Sequence, residues 1–113
     1  MLTDKDYCDY DTCVALKELG YPTKMTFIGE QATIEIPINS GLIQLYDAQK
    51  WLRENRNLHV EVGYNPVLSW YVYRVWEHQD EIAEGEAFPS YEEALSTAIY
   101  MAVEYLKEKN NGN

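Results

Sequence analysis

The segment Ser90–Leu106, SYEEALSTAIYMAVEYL, carries the clearest structural signal in the chain. Ser90 followed three residues later by Glu93 is the S-x-x-E pattern of a capping box, which satisfies free backbone N–H groups at a helix start. Apolar residues then recur at helical spacing on one face, namely Tyr91, Ala94, Leu95, Ala98, Ile99, Ala102 and Leu106. Since the small alanines permit close approach to a sheet, we predict a helix that packs on the strands before it.

The run Ser69–Trp76, SWYVYRVW, lies upstream of this helix and predicts a strand, because aromatic and β-branched residues favour strands. Alternation places Trp70, Val72 and Trp76 on one face and Tyr71, Tyr73 and Val75 on the other. Both faces are apolar, and only one of them can face the helices. We therefore predict an interaction surface drawn from Trp70, Tyr71, Tyr73 and Trp76, with burial of Tyr71 and Tyr73 in the core as the alternative.

Earlier in the chain, periodicity and turn residues predict five further elements. A short amphipathic helix begins at Asp9 or Asp11 and ends before Gly20. It is followed by a hairpin of Lys24–Ile28 with Gln31–Ile38, a helix from about Leu45 to Asn55, and a strand over Leu58–Val62. Together the segments predict one α+β domain over residues 1–113, in the order αββαββα, with frayed ends at 1–8 and 108–113. We expect an antiparallel four-stranded sheet with helices packed mainly on one face.

The segment Glu77–Pro89 is polar and acidic, and we predict an irregular loop there, with a short edge strand in part of it as the alternative. Its carboxylates form a possible acidic surface of Glu77, Asp80, Glu81, Glu84 and Glu86. A solvated charge run is one interpretation, and imitation of nucleic-acid phosphates in a basic groove is another. Calcium binding is disfavoured, because the D-x-D-x-D-G pattern is absent.

Nineteen acidic residues against nine basic ones give a net charge of −10, which disfavours direct binding of nucleic acid. Lys50, Arg53 and Arg56 offer a small basic patch, or simply the solvated face of the second helix. The first residues lack an apolar core of the kind found in signal peptides and membrane spans. We expect a cytoplasmic protein without membrane contact.

No pattern of residues indicates catalysis, a cofactor or a metal. The chain lacks a G-x-S-x-G turn, and neither Cys8 nor Cys13 has a recognisable histidine context or zinc-ligand spacing. We expect both cysteines to be reduced and structural. His59 and His78 are expected to be solvated or hydrogen-bonded rather than ligands. We therefore predict that the protein is not an enzyme.

The segments LKELGYP (16–22), YDAQKWLRENRNLHVEV (46–62) and SYEEALSTAI (90–99) resemble a family of small uncharacterised proteins from phages, prophages and mobile elements of gut Bacteroidetes. That resemblance implies an origin and an architecture, and it brings no activity. The hairpin followed by SYEEAL is also similar to the end of HicB-type antitoxins, although the G-C segment and a DNA-binding domain are missing. We predict a protein-binding module whose partner is another protein or a second copy of the chain, as a homodimer, with nucleic-acid mimicry or HicB-like toxin neutralisation as alternatives.

Overall fold

The computed structural model describes residues 4–37 and 42–111. After a short 3-10 turn at Asp4–Asp6, its elements are α1 (Tyr10–Glu18), β1 (Lys24–Ile28), β2 (Thr33–Pro37), α2 (Leu45–Arg56), β3 (Leu58–Asn65), β4 (Trp70–Glu77), β5 (Asp80–Phe88) and α3 (Tyr91–Asn111). The α+β class is therefore confirmed. Of the frayed ends expected at 1–8 and 108–113, residues 1–3 and 112–113 lie outside the described part, Cys8 is buried, and α3 runs on to Asn111.

The strands form two separate antiparallel sheets instead of the single four-stranded sheet that we predicted. β3, β4 and β5 make a three-stranded sheet with β4 in the centre, and β1 pairs only with β2. The predicted order αββαββα is wrong because a fifth strand, β5, follows β4. The first hairpin is also not part of the main sheet.

β5 replaces the irregular loop predicted over Glu77–Pro89. A tight turn at His78 and Gln79 joins it to β4, and His78 adopts a left-handed φ of 57°. That conformation usually falls to glycine or asparagine, so the sequence lacked the usual hairpin signal. Irregular pairing near Ile82 and Glu86, together with Gly85 and several glutamates, hid the alternation of the strand.

α3 lies across one face of this sheet, as predicted. Its start carries the Ser90 half of the expected capping box, in which the Glu93 N–H donates to Ser90 Oγ at 3.2 Å. The Glu93 carboxylate accepts from the Ser90 hydroxyl at 3.2 Å, where a full capping box has it accept from the Ser90 N–H. The predicted apolar face is buried from Ala94 to Leu106, with Val103 in addition and Tyr91 partly buried. α2 packs beside it on β3, and Leu45, Ala48 and Leu52 join the same core.

α1 has the helix ends that the sequence predicts. The Asp9 carboxylate accepts a hydrogen bond of 2.8 Å from the Thr12 N–H at the N-terminus. At the C-terminus, Gly20 has a φ of 111°, and the Tyr21 N–H reaches back to the Leu16 carbonyl at 3.0 Å. This is a Schellman motif, and it needs glycine because other residues disfavour that φ.

Cys8 and Cys13 fasten the start of α1 to the chain before α2. They occupy the positions of a hydrophobic staple, one before the cap residue Asp9 and one at the fourth helical residue. The Cys8 N–H donates to the Ile43 carbonyl at 2.8 Å, and the Ile43 N–H donates to Cys13 Sγ at 3.2 Å. Both thiols are free and buried, in keeping with the structural role expected of them.

The β1–β2 hairpin stands apart from this core. Residues 28–34 are all exposed, and Ile28 keeps 84% of its surface accessible. The radius of gyration is 16.1 Å, against about 13 Å for a compact domain of this length. No helix in residues 4–37 and 42–111 combines the length and apolar character that a membrane span requires.

Candidate functional site

The candidate site is the face of the β3–β4–β5 sheet that lies opposite α3. Alternation along β4 directs Tyr73 and Val75 into the core, where they are 5% and 0% exposed. The intervening side chains therefore point to the other side, where the neighbouring strands also expose polar residues. We call this surface the open face, and it consists of Trp70, Val72, Arg74 and Trp76 of β4, His59, Glu61 and Gly63 of β3, and Glu81 and Glu84 of β5.

The four aromatic residues that the sequence singled out are divided between the two sides of the sheet. Tyr73 is a core residue, and its ring passes over Gly85, where a Cβ would overlap it. Burial raises the pKa of the Tyr73 hydroxyl. Tyr71 lies on the α3 side, with its ring centroid 6.2 Å from that of Tyr91. Only Trp70 and Trp76 belong to the open face.

The two tryptophans stand at opposite ends of β4. They are six positions apart along the strand, which corresponds to about 20 Å at the usual rise. Val72 and Arg74 occupy the space between them. The open face is thus a long apolar strip with one cation near its middle.

Trp76 is held in place by the neighbouring strand. Its indole Nε1 donates a hydrogen bond of 2.5 Å to Glu61 Oε1. Trp76 also faces His59 of β3 and Glu81 of β5 across the two strand pairs. The indole is therefore fixed in orientation and lies between two carboxylate-bearing strands.

Trp70 has a different environment. It faces Asn65, whose side-chain oxygen accepts hydrogen bonds from the Val67 and Leu68 N–H groups of the β3–β4 turn. The Trp70 indole N–H is buried, and it has no acceptor among the described residues. A buried donor without a partner costs about 1–3 kcal/mol, so this end of the face is not optimised for stability alone.

The five predicted acidic residues do not form one surface. Glu77 lies on the α3 side, where Tyr105 donates to it at 2.6 Å and Lys109 at 3.0 Å. These hydrogen bonds lower the pKa of Glu77. Asp80 pairs with Glu77 at the turn. Only the more distal carboxylates, those of Glu81, Glu84 and Glu86, remain on or beside the open face.

Glu81 and Glu84 lie close together on β5. They face Trp76 and Arg74 across the β4–β5 pair. The pKa of Glu81 is raised, chiefly by its hydrogen bond with Glu84. Glu84 and Glu86 also border a depression of about 430 Å³ beside Val72 and Arg74. The open face is therefore apolar along β4 and negatively charged along its β5 side.

A second depression, of about 630 Å³, lies at the turn end of the molecule. It is lined by Arg53, Arg56, His78 and Lys109 among others. Arg56 is used structurally, since it donates to the Leu19 carbonyl and lies 5.8 Å from the Trp51 ring centroid. Lys109 is paired with Glu77. The predicted basic patch of Lys50, Arg53 and Arg56 is thus partly engaged in holding the helices together.

Both histidines are bound to one asparagine. Asn57 Nδ2 lies 2.8 Å from His78 Nδ1, and Asn57 Oδ1 lies 3.1 Å from His59 Nε2. Asn57 also ends α2 with a left-handed φ of 55°. In the part of the chain that the structure describes, no group of three His, Cys, Asp or Glu side chains is arranged to hold a metal.

The Cys8 thiol is in an environment that makes it a poor nucleophile. Burial, the larger cause, together with the neighbouring Cys13 raises the pKa of the Cys8 thiol to about 12. A thiol with such a pKa carries almost no thiolate at neutral pH, and the thiolate is the nucleophile. This environment suits packing rather than nucleophilic catalysis.

The sequence did not single out Glu61 and Arg74 as members of the site. The strand alternation contained the signal, because His59 and Glu61 alternate with the buried Leu58 and Val60. Arg74 was likewise visible as the one charge inside an aromatic strand. What the sequence lacked was the register, which pairs Arg74 with Glu61 on one side and with Glu84 on the other.

Comparisons with known proteins give no further guide to this site: a scan against family models, a search of curated proteins and a search of solved structures found no match.

Proposed function

We propose that this chain is a small acidic protein-binding module that works by binding rather than catalysis, and that the open face is its docking surface. The observation that carries the proposal is the strip of Trp70, Val72 and Trp76 on the side of the sheet without helices. Tryptophan is enriched in interface cores because it buries a large area and also offers an N–H donor. An apolar strip bordered by charges is typical of a protein contact surface.

A different protein suits this face better than a second copy of the chain. Two open faces brought together would place the carboxylates of Glu61, Glu81 and Glu84 near their own copies. Like charges at a desolvated contact oppose association. A homodimer through this face is therefore the weaker form of the proposal. Neutralisation of a HicB-type toxin, the alternative that the resemblance of the SYEEAL helix implies, would be binding to a different protein of this kind.

Nucleic-acid mimicry is a second candidate, and the ordering of β5 favours it. A mobile loop would be a poor replica of phosphates, whereas Glu81 and Glu84 are held on a hydrogen-bonded strand. The two candidates differ in salt dependence. Docking on the tryptophan strip keeps its apolar contribution at high salt, while a charge mimic loses nearly all of its affinity as screening increases.

The test is affinity capture from the source cells with three forms of the protein. The open-face variant carries Val72→Ser and Trp76→Ser, and the control carries Tyr100→Ser and Met101→Ser, which are exposed on α3. All three forms must show the same circular dichroism spectrum. We expect a protein that wild type and control retain equally and that the open-face variant loses by about tenfold or more. Equal retention by all three forms would contradict the proposal.

A further inference from the structure

We infer that the open face takes an arginine- or lysine-bearing segment of its protein partner, with a cationic side chain lying on the Trp76 indole between Glu61 and Glu81. This inference rests on the proposed function and specifies the chemistry of the partner. It arises from three features of the face, namely its charge, the fixed indole and the difference between its two ends.

The charge of the face calls for a cation. Its carboxylates are those of Glu61, Glu81 and Glu84, with Glu86 beside them, and its one permanent cation is Arg74. The pKa of Glu81 is raised chiefly by its hydrogen bond with Glu84, then by burial and by repulsion from the Glu84 charge, while Arg74 lowers it. A bound cation would relieve that repulsion, because an opposite charge nearby favours the ionised form of a carboxylate.

The Trp76 indole is suited to hold that cation. The face of an indole ring attracts ammonium and guanidinium groups, and tryptophan is the strongest aromatic partner for them. The hydrogen bond of 2.5 Å to Glu61 fixes the ring, so little side-chain entropy is lost on binding. On the β3 side Trp76 faces His59 and donates its N–H to Glu61, and on the β5 side it faces Glu81. An arginine fits best, because its planar guanidinium stacks on the ring while it donates to carboxylates.

The other end of the strip lacks this combination. Trp70 faces Asn65 instead of an acid, and the side-chain oxygen of Asn65 already accepts hydrogen bonds from the turn. The apolar contacts of the partner would therefore fall on Trp70 and Val72, and its cation on Trp76. Because the two ends of the strip differ, the partner segment would bind along β4 in one orientation only.

The test uses two synthetic peptides of ten residues, one alternating arginine with threonine and one with citrulline in place of arginine. Citrulline keeps the shape of the side chain and removes its charge. The chain contains three tryptophans, so their indole N–H signals in nitrogen-15 NMR spectra report on separate places. Trp51 lies on α2, where it packs against Tyr21, and its signal serves as the internal reference.

Two matched variants separate a local site from general attraction to an acidic protein. The first carries Glu61→Gln and Glu81→Gln, and glutamine at position 61 preserves an acceptor for the indole. The second carries Glu54→Gln and Glu108→Gln, two exposed acids of α2 and α3. Both variants change the net charge equally.

We expect the arginine peptide to shift the Trp76 signal and not the Trp51 signal. Its affinity should fall about tenfold, or 1.4 kcal/mol, in the first variant and less than about twofold in the second.

An equal loss of affinity in both variants would overturn the inference, because it would show attraction by net charge alone. A citrulline peptide that binds the face as tightly as the arginine peptide would overturn it too, yet it would leave the docking proposal standing. If the arginine peptide shifts no indole signal while the open-face variant still loses its captured protein, the inference is again overturned and the docking proposal again stands. If neither the peptides nor the captured proteins depend on the face, both proposals fall.

Discussion

The Tyr105 hydroxyl donates a hydrogen bond of 2.6 Å to the Glu77 carboxylate, and this contact joins the second half of α3 to the end of β4. Lys109 donates to the other oxygen of the same carboxylate at 3.0 Å. Glu77 is partly buried, and its pKa is lowered chiefly by the Tyr105 hydrogen bond. The carboxylate that the sequence assigned to an acidic surface is therefore part of what holds the helix on the sheet.

Removing that hydroxyl should cost stability in a pH-dependent way. Because the pKa of Glu77 is lower in the folded state, its contribution is present above the unfolded pKa and is lost as the pH falls through the folded one. We expect Tyr105→Phe to lower the free energy of unfolding by about 1 kcal/mol at pH 7. The deficit should shrink well below the usual glutamate pKa of about 4.3.

Urea unfolding of wild type and Tyr105→Phe, at pH 7 and at a pH well below the glutamate pKa, measures how the deficit in the free energy of unfolding changes with pH. Tyr100→Phe is the matched control, because Tyr100 lies on the same helix and is exposed. A deficit for Tyr105→Phe that does not change with pH, or an equal deficit in the control, would exclude the Glu77 contact as its cause.

Gly85 should resist substitution. A Cβ at this position would overlap the Tyr73 ring, which has core residues on its other side. We expect Gly85→Ala to destabilise the fold by about 1–3 kcal/mol, the usual cost of overpacking. Gly63→Ala is the control, since its Cβ would meet nothing closer than Val72 Cγ2 at 3.9 Å. Thermal melting of the two variants compares them, and similar melting temperatures would show that Tyr73 does not lie over Gly85.

The two thiols should be reduced and slow to react. Both are buried, and the pKa of Cys8 is raised to about 12 by burial and by Cys13. A thiol-specific chromogenic disulfide should react slowly with the native protein at pH 8 and rapidly with both cysteines after unfolding in urea. Fast reaction in the folded state, or fewer than two thiols after unfolding, would show that this environment is different from the one described.

The β1–β2 hairpin should be the least stable part of the fold. An isolated two-stranded hairpin is only marginally stable in water, and residues 28–34 of this one are exposed. We expect the amide hydrogens of β1 and β2 to exchange orders of magnitude faster than those of Tyr73 and Val75 in β4. Comparable protection in both sheets would mean that the hairpin is held by the core.

The helices were predictable because their signals are local. The Ser90 hydroxyl that caps the Glu93 N–H and the glycine after α1 both rest on backbone groups within a few residues, and both appear in the structure. The sheet was less predictable because it depends on pairing between distant segments. The sequence offered β5 only as an alternative, a short edge strand within a loop, because His78 makes its turn without glycine and bulges interrupt its alternation.

The candidate site shows the same division. The alternation of β4 separated Trp70 and Trp76 from Tyr71 and Tyr73, but it could not tell which pair would face α3. In the structure Gly85 leaves space for the Tyr73 ring on the helix side. Since the sequence offered a strand in this segment only as an alternative, the pairing of Tyr73 with Gly85 had to come from the structure.

Site-specific photo-crosslinking tests the docking surface most directly. A benzophenone amino acid replaces Arg74 at the centre of the open face, or Tyr100 on the exposed side of α3, in otherwise identical proteins. After irradiation in the source cells, we expect adducts with another protein from position 74, and at most about a tenth of that yield from position 100. Equal yields from the two positions, or adducts only from position 100, would contradict the assignment of the open face as the binding surface.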